Sequence, residues 1–351
     1  MSNPLAPDLD HVLEHTREVW KELSGARIFI TGGTGFFGCW LLESFAWAVD
    51  RLGLRASAVV LTRSPERFPG KAPHLARHPA IQLAQGDVRC FEFPAGRFTH
   101  AIHGAAEANP RLNREQPLLM LETIVDGTRR TLDFAAAAGV RRFLLLSSGA
   151  VYGAQPADLA RVTEDYRGAP DTADAQSAYA EGKRVAEMLG AVYAGARGLE
   201  VPVARCFAFA GPHLPLDAHF AIGNFINDCL HARPIAVRGD GTAYRSYLYT
   251  ADLAIWLWTI LARGQSGRAY NVGSEQAVSI AELAEKVRET LGAAYEVRIA
   301  QARRAAAAER YVPDTSRART ELGLEEWIPL EEAIRRTARH AAPAFYGEVC
   351  A

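Results

Sequence analysis

The sequence predicts an α/β fold in which one parallel β-sheet is covered by helices on both faces. Strand-like and helical segments alternate along the chain from residue 27 to residue 204. The strand-like segments are almost continuous apolar runs, which is typical of strands buried on both faces of a parallel sheet. A glycine-rich turn also joins the first strand to the helix that follows it. Together these three observations predict a doubly wound sheet.

The predicted elements fall into an N-terminal helix, a regular unit and a less regular unit. An amphipathic pattern over residues 9–23 predicts a helix packed on the outside, so that residues 1–25 form an N-terminal helical appendage. The alternating unit covers residues 26–211, with strands predicted at 27–31, 56–62, 81–85, 100–103, 142–147 and 201–204 and helices at 39–51, 118–138 and 178–197. Beyond it the loops lengthen, and residues 212–351 predict a smaller C-terminal α/β lobe.

The composition is that of an ordinary globular protein. Of the 351 residues, 49% are hydrophobic, and 39 basic residues nearly cancel 40 acidic ones. This balance excludes disorder and indicates no nucleic-acid partner. The five cysteines show neither a CxxC pair nor a paired spacing, so we expect reduced thiols and no metal site. Without a signal-peptide pattern or an apolar stretch long enough to span a membrane, we expect a cytoplasmic protein.

The glycine-rich turn predicts a dinucleotide site. Residues 31–38 read TGGTGFFG, directly after a strand and at the start of a helix. Glycines tighten such a turn and let the backbone approach a pyrophosphate, whose charge lies at the positive end of the helix. We therefore predict a Rossmann-type dinucleotide-binding domain at residues 26–211. The expected contacts in the turn are Gly32, Thr34, Gly35, Phe36, Phe37 and Gly38.

Tyr179 and Lys183 are candidates for the chemistry beside that dinucleotide. They are four residues apart at the start of a predicted helix and therefore project from one face. A phenol with its ordinary pKa of ~10 is a poor base, but a neighbouring ammonium group and the positive charge of a nicotinamide lower this pKa. The phenolate can then accept a proton from a hydroxyl group while hydride leaves the carbon for the cofactor.

With these motifs the chain resembles the extended short-chain dehydrogenase/reductase family, which includes the nucleotide-sugar epimerases and dehydratases. Residues 31–38 match the TGxxGFxG turn of that family, and Tyr179 and Lys183 match its YxxxK motif. Residues 147–153 match its SSxxVYG segment, which implies that Ser148 polarises the reacting oxygen, with Ser147 as the alternative. The resemblance also implies that Lys183 holds the nicotinamide ribose and that the C-terminal lobe mostly binds the substrate.

The same resemblance implies further contacts with the cofactor. Family members often carry an acidic residue after the second strand, where this chain has Arg63 and Ser64. An arginine and a hydroxyl suit a 2′-phosphate better than a bare ribose, so the sequence favours NADP(H) over NAD. A solvated Arg63 without a role in binding is the alternative. The expected adenine and chain-wall contacts are Asp87, Val88, Ala105 and Ala106.

Two arginines resemble the family's ligands for the diphosphate of a nucleotide-sugar. Arg245 matches the arginine of an RxFxYVxD segment, and Arg304 stands ten residues before Asp314. Guanidinium groups suit this role because they bind phosphate through two parallel hydrogen bonds. However, Ala208 occupies the position of an asparagine that often contacts the substrate phosphates. The nucleotide and the sugar therefore cannot be taken over from the family.

Other residues bear on the substrate and the reaction. Asn224 and His219 are candidate replacement contacts, and Glu107 is a carboxylate expected to face the same cleft. Sugar 4,6-dehydratases of this family have an Asp-Glu pair directly after the strand-five hydroxyl, where this chain has Gly149 and Ala150. A simple dehydratase is therefore disfavoured.

The resemblance implies an NAD(P)-dependent enzyme that transfers hydride at a sugar carbon, expected to be C4, of a nucleotide-diphosphate sugar. We place a 4-epimerase first and an NADPH-dependent 4-keto-sugar reductase second, followed by a dehydratase or decarboxylase. A binding protein that senses dinucleotides is the non-enzymatic alternative, although such proteins typically lose the tyrosine or the lysine. The helices predicted at 118–138 and 178–197 resemble those that family members bury in a four-helix bundle, which implies a homodimer.

Overall fold

The computed structural model describes residues 3–106, 109–218, 220–302 and 307–342. The strands are β1 (Arg27–Thr31), β2 (Ser57–Thr62), β3 (Ile81–Gln85), β4 (His100–His103), β5 (Arg142–Ser148), β6 (Val203–Cys206), β7 (Phe209–Ala210), β8 (Ile235–Val237), β9 (Tyr244–Arg245), β10 (Leu248–Tyr249), β11 (Ala269–Val272), β12 (Val278–Ser279), β13 (Val297–Ile299) and β14 (Arg310–Tyr311). The α-helices are α1 (Ala6–Glu22), α2 (Phe36–Leu52), α3 (Phe68–Lys71), α4 (Pro73–Ala76), α5 (Pro110–Glu115), α6 (Pro117–Ala138), α7 (Ala178–Arg197), α8 (Ala221–Leu230), α9 (Thr250–Arg263), α10 (Ile280–Thr290), α11 (Ser316–Leu322) and α12 (Leu330–Ala341). None of these helices is long and apolar enough to span a bilayer.

Seven parallel strands form the central sheet in the order β11-β6-β5-β4-β1-β2-β3. The strand order reverses between β1 and β4, and ligands of such sheets bind in the crevice beyond the carboxyl ends of the strands at this point. The predicted doubly wound α/β fold is confirmed. The sheet also continues beyond residue 211, because β11 pairs with β6 through Ala269 and Val203.

Helices cover both faces of the sheet. One face packs against α2 and α9, whose buried side chains include Trp40 and Trp258, and the other packs against α6 and α7. Helix α1 lies against α2 and α9, and its Trp20 packs on Trp258 with ring centroids 4.7 Å apart. The carboxylate of Asp8 on α1 accepts hydrogen bonds from Tyr249 and from Arg336 of the C-terminal lobe. The N-terminal helix thus contacts both units of the fold.

Short strands in the second half bring separated segments to the carboxyl ends of β5 and β6. Strand β9 pairs with β12 and with β14, and the latter pairing sets Tyr311 beside Arg245. Strand β10 pairs with β7 through Leu248 and Phe209. These pairings place β9 and β14 next to the end of the main sheet, where the candidate site lies.

Candidate active site

The glycine turn is packed too closely for any other residue at two of its positions. Gly32 has a φ of +74°, and a Cβ there would lie 2.6 Å from the carbonyl carbon of Gly104. A Cβ on Gly38 would lie 2.3 Å from the carbonyl oxygen of Gly32. Gly35 is the residue that precedes the first turn of α2. The turn therefore leaves bare backbone at the N-terminus of a helix, which fits the pyrophosphate of a dinucleotide.

A buried histidine fixes the turn against β4. His103 Nδ1 lies 2.8 Å from the Thr31 hydroxyl, and its Nε2 lies 3.0 Å from the Thr128 hydroxyl. Thr128 donates its own hydrogen to the carbonyl of Ile124, so it accepts from Nε2–H, and Thr31 donates to Nδ1 while accepting from the N–H of Ala105. Burial, together with the charge of Lys183, lowers the pKa of His103 to about 3. The imidazole is therefore neutral and fully hydrogen-bonded.

The predicted contacts for the adenosine half of the cofactor lie beyond β2, β3 and β4. Asp87 accepts hydrogen bonds from Nε and Nη2 of Arg89 at 2.9 and 3.0 Å, and this pairing lowers the pKa of the carboxyl group. Val88 is buried, whereas Ala105, Ala106 and Ser64 are half-buried and Arg63 is exposed. Of the aromatic residues in the turn, Phe37 packs edge-on against Phe209 with ring centroids 4.9 Å apart.

A lysine that no sequence motif marks also lies at the glycine turn. Lys71, at the end of the one-turn helix α3, donates a hydrogen bond from Nζ to the carbonyl of Thr34 at 2.9 Å. Arg63 follows β2 in the same connection, so this segment carries two cations, one of which contacts the glycine turn. Position 71 shows no local motif, and only the folded connection brings it to Thr34.

Ser148 and Tyr179 come together at the carboxyl end of β5. Ser148 is buried, and its Oγ accepts a hydrogen bond from the N–H of Ala150 at 3.2 Å. Burial raises the pKa of Tyr179 to about 12, and hydrogen bonding to Ser148 opposes this rise. Ser147, the alternative, instead donates its hydroxyl hydrogen to Glu187 at 2.5 Å. Of the two serines, Ser148 is therefore the one that interacts with the tyrosine, whereas Ser147 is engaged by Glu187.

Lys183 lies below the tyrosine ring on the same face of α7. Its side chain is 5% exposed, and Nζ donates to the carbonyl of Leu146 at 2.7 Å, with the centroid of the Tyr179 ring 6.0 Å away. Burial lowers the pKa of Lys183 to about 8, against the opposing charges of Cys206 and Glu187. The spacing of Tyr179 and Lys183 predicts a lowered pKa for the phenol, but the protein's own groups do not outweigh the desolvation of the Tyr179 hydroxyl.

Hydrogen bonds hold α7 in place just before Tyr179 and one turn after Lys183. Asn113 accepts a hydrogen bond from the N–H of Tyr179 at 3.1 Å and donates one to the carbonyl of Gln176 at 2.6 Å. One turn after Lys183, Glu187 binds the guanidinium of Arg205 at 2.7 Å. The start of α7 is therefore tied both to α5 and to β6.

Tyr311 is a second phenol at this site, and nothing in the sequence pattern marked it. Its hydroxyl lies 3.3 Å from Ser148 Oγ, and its ring packs on Phe207 with centroids 4.7 Å apart. A Cβ at Gly149 would lie 2.7 Å from two atoms of the Phe207 ring and 2.8 Å from the Tyr311 hydroxyl. The 4,6-dehydratases of the family are expected to carry an acidic residue at position 149. In this protein the Phe207 ring and the Tyr311 hydroxyl leave no room there for a side chain.

The predicted substrate contacts have different outcomes. Arg245 is half-buried, pairs with Glu309 at 2.7 Å and lies with its Cζ 5.8 Å from the centroid of the Tyr311 ring. Asn224 is half-buried on α8, and its side chain makes no hydrogen bond to the rest of the described chain. The remaining three candidates, Glu107, His219 and Arg304, lie outside the described residues. No group of three or more potential metal ligands occurs in the part of the chain that the structure describes.

Comparison with known proteins identifies the family. Residues 28–273 match the profile of the "NAD dependent epimerase/dehydratase family". The chain is 32% identical over 314 residues to UDP-glucuronic acid decarboxylase 6 of Arabidopsis thaliana, covering 89% of this chain and 87% of that protein. It is 30% identical over 323 residues to UDP-glucuronic acid decarboxylase 1 of Xenopus tropicalis, covering 91% and 73%.

Solved structures agree with this assignment. A dTDP-glucose 4,6-dehydratase of Streptomyces venezuelae with bound NAD is 27% identical, with a TM-score of 0.76 over 92% of this chain and 97% of that one. The fold is also shared with a UDP-glucose 4-epimerase of Thermotoga maritima, at 20% identity and a TM-score of 0.76 over 90% and 99% of the two chains. The chain is therefore an enzyme of the NAD dependent epimerase/dehydratase family, with the Rossmann-type fold that its sequence predicts.

Proposed function

We propose that this enzyme transfers hydride at C4 of a nucleotide-diphosphate sugar, with 4-epimerisation as the first candidate reaction. The observation that supports it is the convergence of Ser148, Tyr179 and Lys183 at the carboxyl end of β5. Tyr179 exchanges a proton with the C4 oxygen, Ser148 donates a hydrogen bond to that oxygen, and Lys183 supplies positive charge below the phenol. The nicotinamide, when bound, accepts or donates the hydride.

The lining of the site argues against elimination of water. Elimination requires an acid and a base beside the sugar, and the positions that would supply them are Gly149 and Ala150. Phe207 and Tyr311 fill the space in front of Gly149. We infer that the reaction stays at C4 and does not proceed to a 4,6-dehydration.

A second candidate, the NADPH-dependent reduction of a 4-keto sugar, is supported by two features. Because burial raises the pKa of Tyr179 to about 12, the phenol is protonated at neutral pH, which is the state that donates a proton to a C4 alkoxide. Arg63, Ser64 and Lys71 supply two cations and a hydroxyl at the adenosine end, which suits the 2′-phosphate of NADP(H).

Decarboxylation is a third candidate because the UDP-glucuronic acid decarboxylases are 30–32% identical to this chain. Oxidation of C4 in a sugar with a C6 carboxylate gives a β-keto acid, which loses CO₂ without a further base. The proposed roles of Ser148, Tyr179 and Lys183 would serve that oxidation and the final reduction equally. The substrate supplied to the enzyme therefore distinguishes this reaction from epimerisation.

For the rest of the site we propose the roles implied by the family resemblance. Asp87 and Val88 contact the adenine, and Ala105 and Ala106 line the cofactor. Arg245 and Arg304 bind the diphosphate of the substrate, and Glu107 and Asn224 contact the substrate as well. Arg245 is half-buried beside Tyr311, which supports its assignment to the substrate cleft.

We propose that two copies associate through α6 and α7 in a four-helix bundle. These helices pack on each other, and both leave apolar side chains in solvent: Leu118 on α6 (67% exposed) and Met188 (68%) and Val192 (51%) on α7. The change Met188→Glu would bury two charges in the bundle and is expected to give monomers in sedimentation experiments. Ile299→Glu, at an exposed residue of the C-terminal lobe, is the matched control. A monomeric wild-type protein would contradict the proposal.

A substrate panel tests the proposed function. The enzyme is incubated with UDP-glucose, UDP-glucuronic acid, dTDP-glucose or the 4-keto product of dTDP-glucose dehydration, each with NAD⁺, NADP⁺ or NADPH. A chromatographic shift without a mass change indicates epimerisation, a gain of two hydrogens indicates reduction, and loss of CO₂ indicates decarboxylation. Loss of water, or conversion of no substrate with any cofactor, would contradict the proposal.

A further inference from the structure

A third hydroxyl competes for the single hydrogen of Ser148. A serine hydroxyl has one hydrogen to donate and two lone pairs that accept. The N–H of Ala150 occupies one lone pair of Ser148 Oγ at 3.2 Å. The Tyr311 hydroxyl lies 3.3 Å from the same oxygen, and the Tyr179 hydroxyl interacts with Ser148 as well. The direction of the Tyr311 hydrogen bond therefore decides what Ser148 can do.

Two hydrogen-bond arrangements are open to these groups. If Ser148 donates to Tyr311, no hydrogen remains for the reacting oxygen. If Tyr311 donates to Ser148, the N–H of Ala150 and the Tyr311 hydroxyl fill both lone pairs of the serine oxygen. The serine hydrogen is then free to point toward Tyr179 and the reacting oxygen. The other acceptor within reach of the Tyr311 hydroxyl, the carbonyl of Cys206, lies 3.4 Å away, slightly farther than Ser148 Oγ at 3.3 Å.

The Tyr311 ring is held so that its hydroxyl cannot leave Ser148 easily. It packs on Phe207, and the pairing of β14 with β9 fixes its backbone. Gly149 provides the space that the hydroxyl and the Phe207 ring occupy. Tyr311 belongs to the C-terminal lobe, 163 residues from Ser148, so both lobes contribute to this hydrogen-bond arrangement.

We propose that Tyr311 is a positioning residue that donates a hydrogen bond to Ser148 and thereby directs the Ser148 hydrogen toward the reacting C4 oxygen. The proposal rests on the proposed function, since it assigns Tyr311 a role through Ser148. Tyr311 acts on the transition state more than on substrate binding, because the Ser148 hydrogen bond strengthens as negative charge develops on the oxygen.

A double-mutant cycle tests this role in the full-length holoenzyme, with the panel member that the wild-type enzyme converts. Tyr311→Phe keeps the ring and its packing on Phe207 and is expected to lower kcat about three- to tenfold with little change in KM. In a Ser148→Ala background, measured by single turnover, the same change is expected to have less than about a twofold effect. Tyr295→Phe, at a residue that is 41% exposed, is the control.

The outcomes separate this proposal from the proposed function. If Tyr311→Phe lowers kcat by the same factor in the wild-type and the Ser148→Ala backgrounds, or changes KM alone, the positioning role is overturned while the C4 chemistry stays intact. A Ser148→Ala variant with wild-type kcat would overturn the assignment of Ser148, and with it this proposal. If the enzyme converts no panel member, both proposals fail together.

Discussion

An alanine at position 149 tests whether Phe207 and Tyr311 close the space beside Ser148. The added Cβ would lie 2.7 Å from two ring atoms of Phe207 and 2.8 Å from the Tyr311 hydroxyl. Ordinary carbon contacts are about 3.5–4.0 Å, so ring and hydroxyl would have to retreat by roughly 1 Å. Overpacking of this kind costs about 1–3 kcal/mol of unfolding free energy. A retreat of this size would break the hydrogen bond between Tyr311 and Ser148, so kcat is expected to fall about three- to tenfold, the same factor as for removal of the hydroxyl.

The assay compares kcat, KM and the free energy of unfolding in urea for Gly149→Ala and the wild type. Gly195→Ala is the matched control, because Gly195 lies in α7 and a Cβ there meets nothing within 4 Å. The control is expected to keep its kcat and to gain about 0.5–1 kcal/mol from helix propensity. Wild-type kcat and stability in Gly149→Ala would refute the argument that the space is closed.

Three further changes test other parts of the account. Gly38→Ala puts a Cβ 2.3–2.4 Å from backbone atoms of the glycine turn, and is expected to abolish dinucleotide binding in calorimetry; unchanged affinity would contradict the packing argument. Lys71→Gln is expected to weaken binding of 2′,5′-ADP about tenfold while leaving ADP unchanged, and equal losses for both ligands would count against a 2′-phosphate contact. Burial lowers the pKa of His103 in the folded protein to about 3, from 6.5. Between these two pH values the histidine binds a proton in the unfolded chain but not in the folded one, so the free energy of unfolding decreases as the pH falls. Between pH 6 and pH 4, the free energy of unfolding in urea should fall by up to about 1.4 kcal/mol per pH unit more for the wild type than for His103→Gln. An equal decrease for both proteins would contradict the lowered pKa of His103.

The features that the sequence predicts well are local in the chain. The glycine turn and the pair Tyr179 and Lys183 lie within single segments whose spacing follows from helix and turn geometry. The helix predicted at 178–197 has those bounds in the structure, whereas the last strand of the regular unit, predicted at 201–204, runs from Val203 to Cys206. Pro202 lacks an N–H for the ladder, so the strand begins after it.

The features that the sequence does not predict depend on distant contacts. Tyr311 reaches Ser148 only because the two-residue strands β9 and β14 pair, and so short a strand shows no periodicity. Lys71 reaches Thr34 through a one-turn helix, and its contact spans 37 residues. The raised pKa of Tyr179 likewise depends on how far the fold buries its hydroxyl, which spacing alone does not give.

In the proposed mechanism, Tyr179 exchanges a proton with the sugar while hydride moves to or from the nicotinamide. The most direct measurement follows the reduced-nicotinamide absorption band and the products when Tyr179→Phe and wild-type holoenzymes meet the panel substrate. We expect Tyr179→Phe to bind the cofactor with wild-type affinity but to show neither hydride transfer nor product. Turnover by Tyr179→Phe at a rate near that of the wild type would contradict it.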